Sequence, residues 1–281
     1  MLLASAMALA AGLSQAAPAQ PRNHEILSAT LWAQTAVEHD AACLQAYRQA
    51  RDLLDRGLKD RKWTAALEQS GDIRKLPPAV IMDIDETVLD NSANEARAVL
   101  TGAEFTTAAW DEWVSESAAG ALPGAVEFTQ YARSRGVTVF FVTNREAKHE
   151  QATRRNMLRL GFPLEVAKGP ASDTVLTRGE RPDWNSEKAA RRHYIAQSYR
   201  VLLLIGDDLG DFISNVRASV AERRRMAALH AERWGTRWIV LPNPMYGSWD
   251  SALYDHDFSL SRRARLERRI RMLNTARTRN Q

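Results

Sequence analysis

The chain has 281 residues, 45% hydrophobic and 26% charged, which excludes a collagen, a mucin-like stalk or a wholly disordered chain. A single cysteine, Cys43, excludes an intrachain disulfide and an all-cysteine zinc cage. Lys+Arg 38 against Asp+Glu 34 leaves a net charge of +4, which reads either as an arginine-rich composition or as an attraction for anionic substrates.

In chain order, no charge occurs from Met1 to Pro21, and Leu2 to Leu13 is an alanine-rich apolar run. A bilayer span needs about 20 strongly apolar residues, so this run suits the core of a secretory signal better. Small residues at Ser14-Gln15-Ala16 and Ala17-Pro18-Ala19 offer cleavage sites, which predicts a leader over 1–19 and a periplasmic or secreted product. The alternative is a disordered tail, since no basic segment precedes the run. No cysteine sits near the cut to take a lipid, and no other segment could span a membrane.

From His24 to about Leu58, apolar residues at helical spacing (Ile26, Leu27, Leu31, Val37, Leu44, Tyr47, Leu54) predict a helical region, with Gly57 as its stop. Cys43 falls within it as a small buried residue. Pro77-Pro78 then launches the first of four short apolar runs, 79–82, 137–142, 201–205 and 238–241. Helix-like segments lie between them, at about Gln151 to Leu160, Glu187 to Gln197 and after Asp211. Apolar strands alternating with helices indicate an α/β fold with a parallel sheet covered on both faces. In such sheets ligands sit at the carboxyl ends of the strands.

The first run exits into Asp83-Ile84-Asp85-Glu86-Thr87, the second into Thr143-Asn144-Arg145, and the third into Gly206-Asp207-Asp208-Leu209-Gly210-Asp211. Acidic and hydroxyl groups at three strand exits therefore converge on one crevice. Clustered carboxylates repel one another unless a cation compensates, and an all-oxygen donor set favours Mg²⁺ over zinc or copper. A lone Asp is more often a helix cap or a turn residue, and Asp208 is read that way. His24, His39, His149, His193, His230 and His256 have no ligand spacing and are assigned to no metal.

Asp83-x-Asp85-x-Thr87 after a strand resembles the first motif of the haloacid dehalogenase superfamily. Thr143 matches the second, Lys188 the third, and Gly206-Asp207-Asp208-x-x-Asp211 the fourth. The stretches 83–92, 122–128, 141–145 and 241–249 resemble one branch, the class C bacterial acid phosphatases, which include lipoprotein acid phosphatases with 5′-nucleotidase activity. The resemblance runs from about Asn23 to about Tyr254. It implies a Rossmann-like parallel sheet flanked by helices, a helical N-terminal region and a small inserted cap at about 92–123, within a domain of 23–281.

The resemblance also implies a Mg²⁺-dependent phosphomonoesterase of broad specificity. Asp83 would be the nucleophile that forms an aspartyl-phosphate, and Asp85 the general acid and base. Thr143, with the Asn144 backbone amide, would bind a phosphoryl oxygen, and Lys188 would neutralise the transferring group. Mg²⁺ would be held by the Asp83 carboxylate, the Asp85 backbone carbonyl and Asp207. Asp211 would reach it through water or orient Lys188. Dehalogenase members lack the second aspartate and cation-pump members carry Thr there, so Asp85 argues for phosphoester hydrolysis. Implied partners are small phosphomonoesters, nucleotides or aryl phosphates, with a homo-oligomer left open. The rivals are a non-catalytic binding or storage protein on this fold, and a phosphotransferase.

Aromatic residues of the insert, Phe105, Trp110 and Trp113, and the downstream Tyr246 and Trp249 are candidates to stack on a nucleoside or aryl leaving group. Trp110 and Trp113, three apart, would equally serve to bury one face of a short helix. The arginine run from Arg262 to Arg271 reads as a solvated helix face. No aromatic interleaving supports contact with a nucleic acid polymer.

Overall fold

The computed structural model describes residues 24–164 and 173–275, so the expected leader over 1–19 lies outside the described residues. The N-terminal helical pattern forms two helices, α1 (Leu27–Thr35) and α2 (Val37–Lys59). Ala36 breaks them with extended backbone (φ −82°, ψ 121°), and the Trp32 and His39 rings meet edge to face across the break. Gly57, expected as a stop, lies inside α2. A Cβ there would sit 3.1 Å from the Trp63 indole, whose Nε1 donates to Leu202 O at 2.8 Å. Packing against Trp63, not termination, is what requires a small residue at that position.

Strand β1 (Pro78–Met82) follows, then a short hairpin pair, β2 (Leu89–Asp90) and β3 (Gly120–Ala121), with helices α3 (Ser92–Thr101) and α4 (Thr107–Glu116) between them. The chain continues through α5 (Ala125–Ser134), β4 (Thr138–Glu146), α6 (Glu150–Leu160), β5 (Val175–Arg178), α7 (Ala189–Ala196), β6 (Arg200–Gly206), α8 (Val220–Ala228), β7 (Trp238–Val240), α9 (Ser248–Ser251) and α10 (Arg262–Arg271).

Five strands pair in the order β5-β4-β1-β6-β7, all parallel. The chain winds outward from β1 through β4 to β5, then crosses back to start the other half at β6. That reversal places a topological switch point beside β1, where ligands of open α/β sheets bind. Every residue of β6 is buried, as expected of a strand covered on both faces. Alternate residues feed two cores. Val80, Met82, Phe141, Leu203 and Ile205 pack with Tyr47 and Leu54 of α2 and Phe128 of α5. Ala79, Ile81, Phe140, Val142 and Leu204 pack on the opposite face with Trp184, Tyr199, Phe212 and Trp238. Truncating Trp184 or Trp238, both fully buried, would cost about 3–5 kcal/mol.

The arginine-rich α10 is held to the body by its own charges. Arg262 pairs with Glu25, Arg265 with Glu104 at 2.6 Å, and Arg269 with Asp250 at 2.6 Å. Among the described residues, no helix is long and apolar enough to cross a membrane.

Candidate active site

Asp83 is the first residue beyond β1, and its N–H still donates to Ile205 O at 2.9 Å, so the sheet fixes its direction. The chain then turns sharply. Ile84 O accepts from Val88 N (2.8 Å) and Leu89 N (2.9 Å), and Glu86 takes a positive φ of 52°. Such a conformation costs a non-glycine residue about 1–3 kcal/mol and needs external locks. Asn91 supplies one, donating its N–H to Glu86 Oε1 at 2.7 Å and its Nδ2 to Oε2 at 3.1 Å. Tyr47 supplies another, its hydroxyl donating to Thr87 O at 2.5 Å. Burial, then the Asp85 and Asp207 charges, push the Glu86 carboxyl well above its ordinary range.

At the exit of β6, Asp207 accepts from Thr87 Oγ1 at 3.3 Å and from Asn243 Nδ2 at 2.8 Å. A single 3₁₀ turn follows over Leu209–Asp211, capped reciprocally: Asp208 Oδ1 accepts from Gly210 N at 2.8 Å and Asp211 Oδ2 from Asp208 N at 3.0 Å. Asp208 is thus the cap that its position suggested, and it also accepts from Ser248 N at 2.7 Å, tying down the start of α9. Gly206 makes room for this turn. A Cβ there would lie 2.5 Å from Cβ and Cγ of Asp211.

Lys188 caps α7 and projects into the crevice, where its Nζ donates to Asp83 Oδ1 and, at 2.6 Å, to Asp211 Oδ1. Burial works against its charge, but the Asp211 and Asp83 carboxylates outweigh it and raise its pKa. The next turn of the same helix adds two buried arginines. Arg191 donates to Thr143 O, and at 2.7 Å to both Asn144 Oδ1 and Asn185 O. Arg192 donates to Gly210 O (3.1 Å) and Asp211 O (3.0 Å) and pairs with Glu68 at 2.8 Å. Thr143 is buried inside β4, which runs on to Glu146 rather than ending at Thr143 as the apolar run suggested, and its Oγ1 accepts from Arg145 N at 3.1 Å.

Asp83, Asp207 and Asp211 each offer an oxygen, all within 4.8 Å of one another. Burial, then the neighbouring Asp211 and Asp85 charges, push Asp83 up to about 7 against the pull of Lys188. Asp207 is raised well above the carboxylate range by burial and by Asp211 and Asp83. Three mutually repelling oxygens, on the buried Asp211 and the largely buried Asp83 and Asp207, fit a hard divalent cation, which removes the repulsion. Asp85 points elsewhere: its carboxylate pairs with the Arg145 guanidinium at 2.8 Å.

The aromatic candidates separate. Trp110 is half-buried, with the Arg145 guanidinium 5.5 Å from its ring centroid, beside the Asp85 pair. Trp113 is only 3% exposed, and its Nε1 donates to Asn91 Oδ1 at 2.8 Å, so its ring belongs to the frame of the site. Tyr246 is half-buried, following Asn243, the partner of Asp207. Trp249 lines a groove of about 550 Å³ with Leu209, Phe212 and Trp234, to which none of the five aspartates contributes. Arg145, Asn91, Asn243, Arg191 and Tyr47 were given no role from sequence. Arg145, Asn91 and Asn243 stand inside the motif stretches, which is the available signal.

The family model for the HAD superfamily, subfamily IIIB (acid phosphatase), matches residues 3–249. The chain belongs to this family. The class C acid phosphatase from Bacillus anthracis superposes on the chain with a TM-score of 0.76 at 34% identity, over 89% of this chain and 96% of that one. The same protein with tungstate bound gives a TM-score of 0.75 at 32% identity. Two plant proteins are similar over part of the chain. The stem 31 kDa glycoprotein of Glycine max is 28% identical over 170 residues, 59% of this chain and 58% of that protein. Acid phosphatase 1 of Solanum lycopersicum is 30% identical over 172 residues, 59% of this chain and 57% of that protein. The chain thus spans under two thirds of the length of these plant relatives. HAD acid phosphatases generally use a divalent metal, and Asp83, Asp207 and Asp211 are residues that could hold one here.

Proposed function

We propose that this chain is a secreted Mg²⁺-dependent phosphomonoesterase that works through an aspartyl-phosphate on Asp83 and prefers nucleoside monophosphates. The observation that carries this is Lys188, buried and bonded to both Asp83 and Asp211 at the exits of β1 and β6. Asp83, Asp207, Asp211 and the Asp85 backbone carbonyl would hold the cation, which would supply charge neutralisation for the phosphoryl group. Asp83 attacks phosphorus as the bond to the leaving oxygen breaks, and Asp85 gives that oxygen a proton. Water then attacks phosphorus, Asp85 takes its proton, and the Asp83–phosphorus bond breaks to release inorganic phosphate. Lys188 and Thr143 hold the equatorial oxygens.

That a relative of this fold binds tungstate, a tetrahedral dianion like phosphate, supports phosphate-type oxyanion recognition. Trp110, next to the Asp85–Arg145 pair, and Tyr246 supply the aromatic faces for a base. The leader expected over 1–19 supports export to the periplasm or beyond. The test is a phosphate-release panel of nucleotides, sugar phosphates and aryl phosphates, with and without chelator, from acidic to neutral pH. Release that Mg²⁺ restores after chelation is expected, fastest on nucleotides. Indifference to chelator removes the cation, and equal rates across the panel remove the nucleotide preference.

A further inference from the structure

Asp85 is gripped through one oxygen. Its Oδ1 accepts from Arg145 Nε (3.0 Å), Arg145 Nη2 (2.8 Å) and Asn91 Nδ2 (2.9 Å). Among the described residues, its Oδ2 receives only a 3.3 Å contact from Arg145 Nε. Arg145 is itself fixed: 2% exposed, it also donates from Nη1 to Thr153 Oγ1 at 3.1 Å and from Nη2 to Asn91 Oδ1 at 3.2 Å.

The Asn91 amide can face only one way. An indole N–H donates and never accepts, and Trp113 Nε1 points at Asn91 Oδ1 from 2.8 Å. Flipping the amide would set its NH₂ against that N–H and against the Arg145 guanidinium. Held as it is, Nδ2 must face Asp85 Oδ1 and Glu86 Oε2. Trp113 comes from α4, so a helix of the insert fixes the orientation of a carboxylate at the sheet.

We propose that Arg145, Asn91 and Trp113 are positioning residues that pin Asp85 Oδ1, leaving Oδ2 as the atom that passes the proton to the leaving oxygen. This rests on the reading of Asp85 as general acid given above. With three donors on Oδ1, a proton on this carboxyl group has only Oδ2 to occupy. The arrangement has a kinetic signature. A nitrophenolate leaves without help, whereas an alkoxide needs the proton as its bond to phosphorus breaks. The ratio kcat/KM covers steps only up to the first phosphoryl transfer, so it separates the acid step from the later attack of water.

The experiment measures kcat/KM for p-nitrophenyl phosphate and for glycerol phosphate in the wild type, Arg145→Met and Trp113→Phe, each with its thermal midpoint. Arg145→Met is expected to lose about 100-fold on glycerol phosphate and less than about fivefold on the nitrophenyl ester. Trp113→Phe keeps the ring and removes only the N–H, and is expected to lose about tenfold, again on the alkyl ester alone. Equal losses on both esters overturn the positioning role and leave the phosphatase reading intact. A wild type that turns over neither ester overturns that reading instead. Should Arg145→Met not fold, Trp113→Phe decides by the same criterion.

Discussion

Asp83 combines a raised pKa with a direct bond to Lys188, so its carboxylate is both destabilised by burial and directed by a cation. Asp83→Asn preserves the shape and one acceptor oxygen for Lys188 but removes the nucleophile. Phosphate release from an aryl phosphate is expected to fall by several orders of magnitude, with far-UV dichroism unchanged. Retained turnover would exclude Asp83 as the attacking group. At Gly206 the argument is steric. An added Cβ meets Asp211 at 2.5 Å, so Gly206→Ala should displace the 3₁₀ turn and pull Asp211 off Lys188. A stability loss of about 1–3 kcal/mol in urea unfolding is expected, together with loss of activity. Asp83, Asp207 and Lys188 could be read from the chain because motif order survives in sequence. Arg145 stands inside a motif stretch, but its role could not be read there, because nothing in the sequence pairs it with Asp85 and Asn91, 60 and 54 positions away. Trp110 and Trp113 share a helical face at a spacing of three, and spacing alone does not say which ring the interior takes.

At the scale of elements, α7 is the piece that joins the site. Lys188, Arg191 and Arg192 lie at its start, and each grips a different strand exit: Asp83 after β1, Thr143 in β4 and the turn after β6. Arg192 is 1% exposed and Glu68 is its partner, so Arg192→Met would strand a largely buried carboxylate. A loss of about 3–5 kcal/mol is expected in urea unfolding, and an unchanged midpoint would show that the pair contributes nothing net. β1, β4, β6 and β7 were legible because each carries a continuous apolar run, at 79–82, 139–142, 201–205 and 238–240, although β4 continues past it through Thr143 to Glu146. β5 was not: it has only four residues at the sheet edge, and two of them, Thr177 and Arg178, are polar. The break at Ala36 was equally hidden, since no proline, glycine or cap residue marks it and the apolar spacing runs straight through.

Across the whole molecule, a net charge of +4 surrounds a crevice of opposite sign, and folding must bring those acids together against their own repulsion. The consequence is a pH dependence with a definite sign. A carboxyl group in the unfolded chain titrates near about 3.9, whereas Asp83 in the folded chain is pushed up to about 7. Between these limits the folded state holds a proton that the unfolded state lacks, so stability falls as pH rises. The contribution is complete below the unfolded value and gone above the folded one, and Asp207, raised in the same direction, adds to it. A divalent cation bound to the ionised acids reverses the trend, because it binds the folded state alone. Chelated protein is therefore expected to melt at a lower temperature at neutral pH than near about pH 5, with Mg²⁺ raising the neutral midpoint more than the acidic one. Asp83→Asn should shrink both differences, since the amide neither titrates nor repels Asp207. Thermal scans of the two proteins, with and without chelator, measure this directly. A neutral-pH midpoint that Mg²⁺ leaves unmoved in the wild type would mean that the three acids do not share a cation.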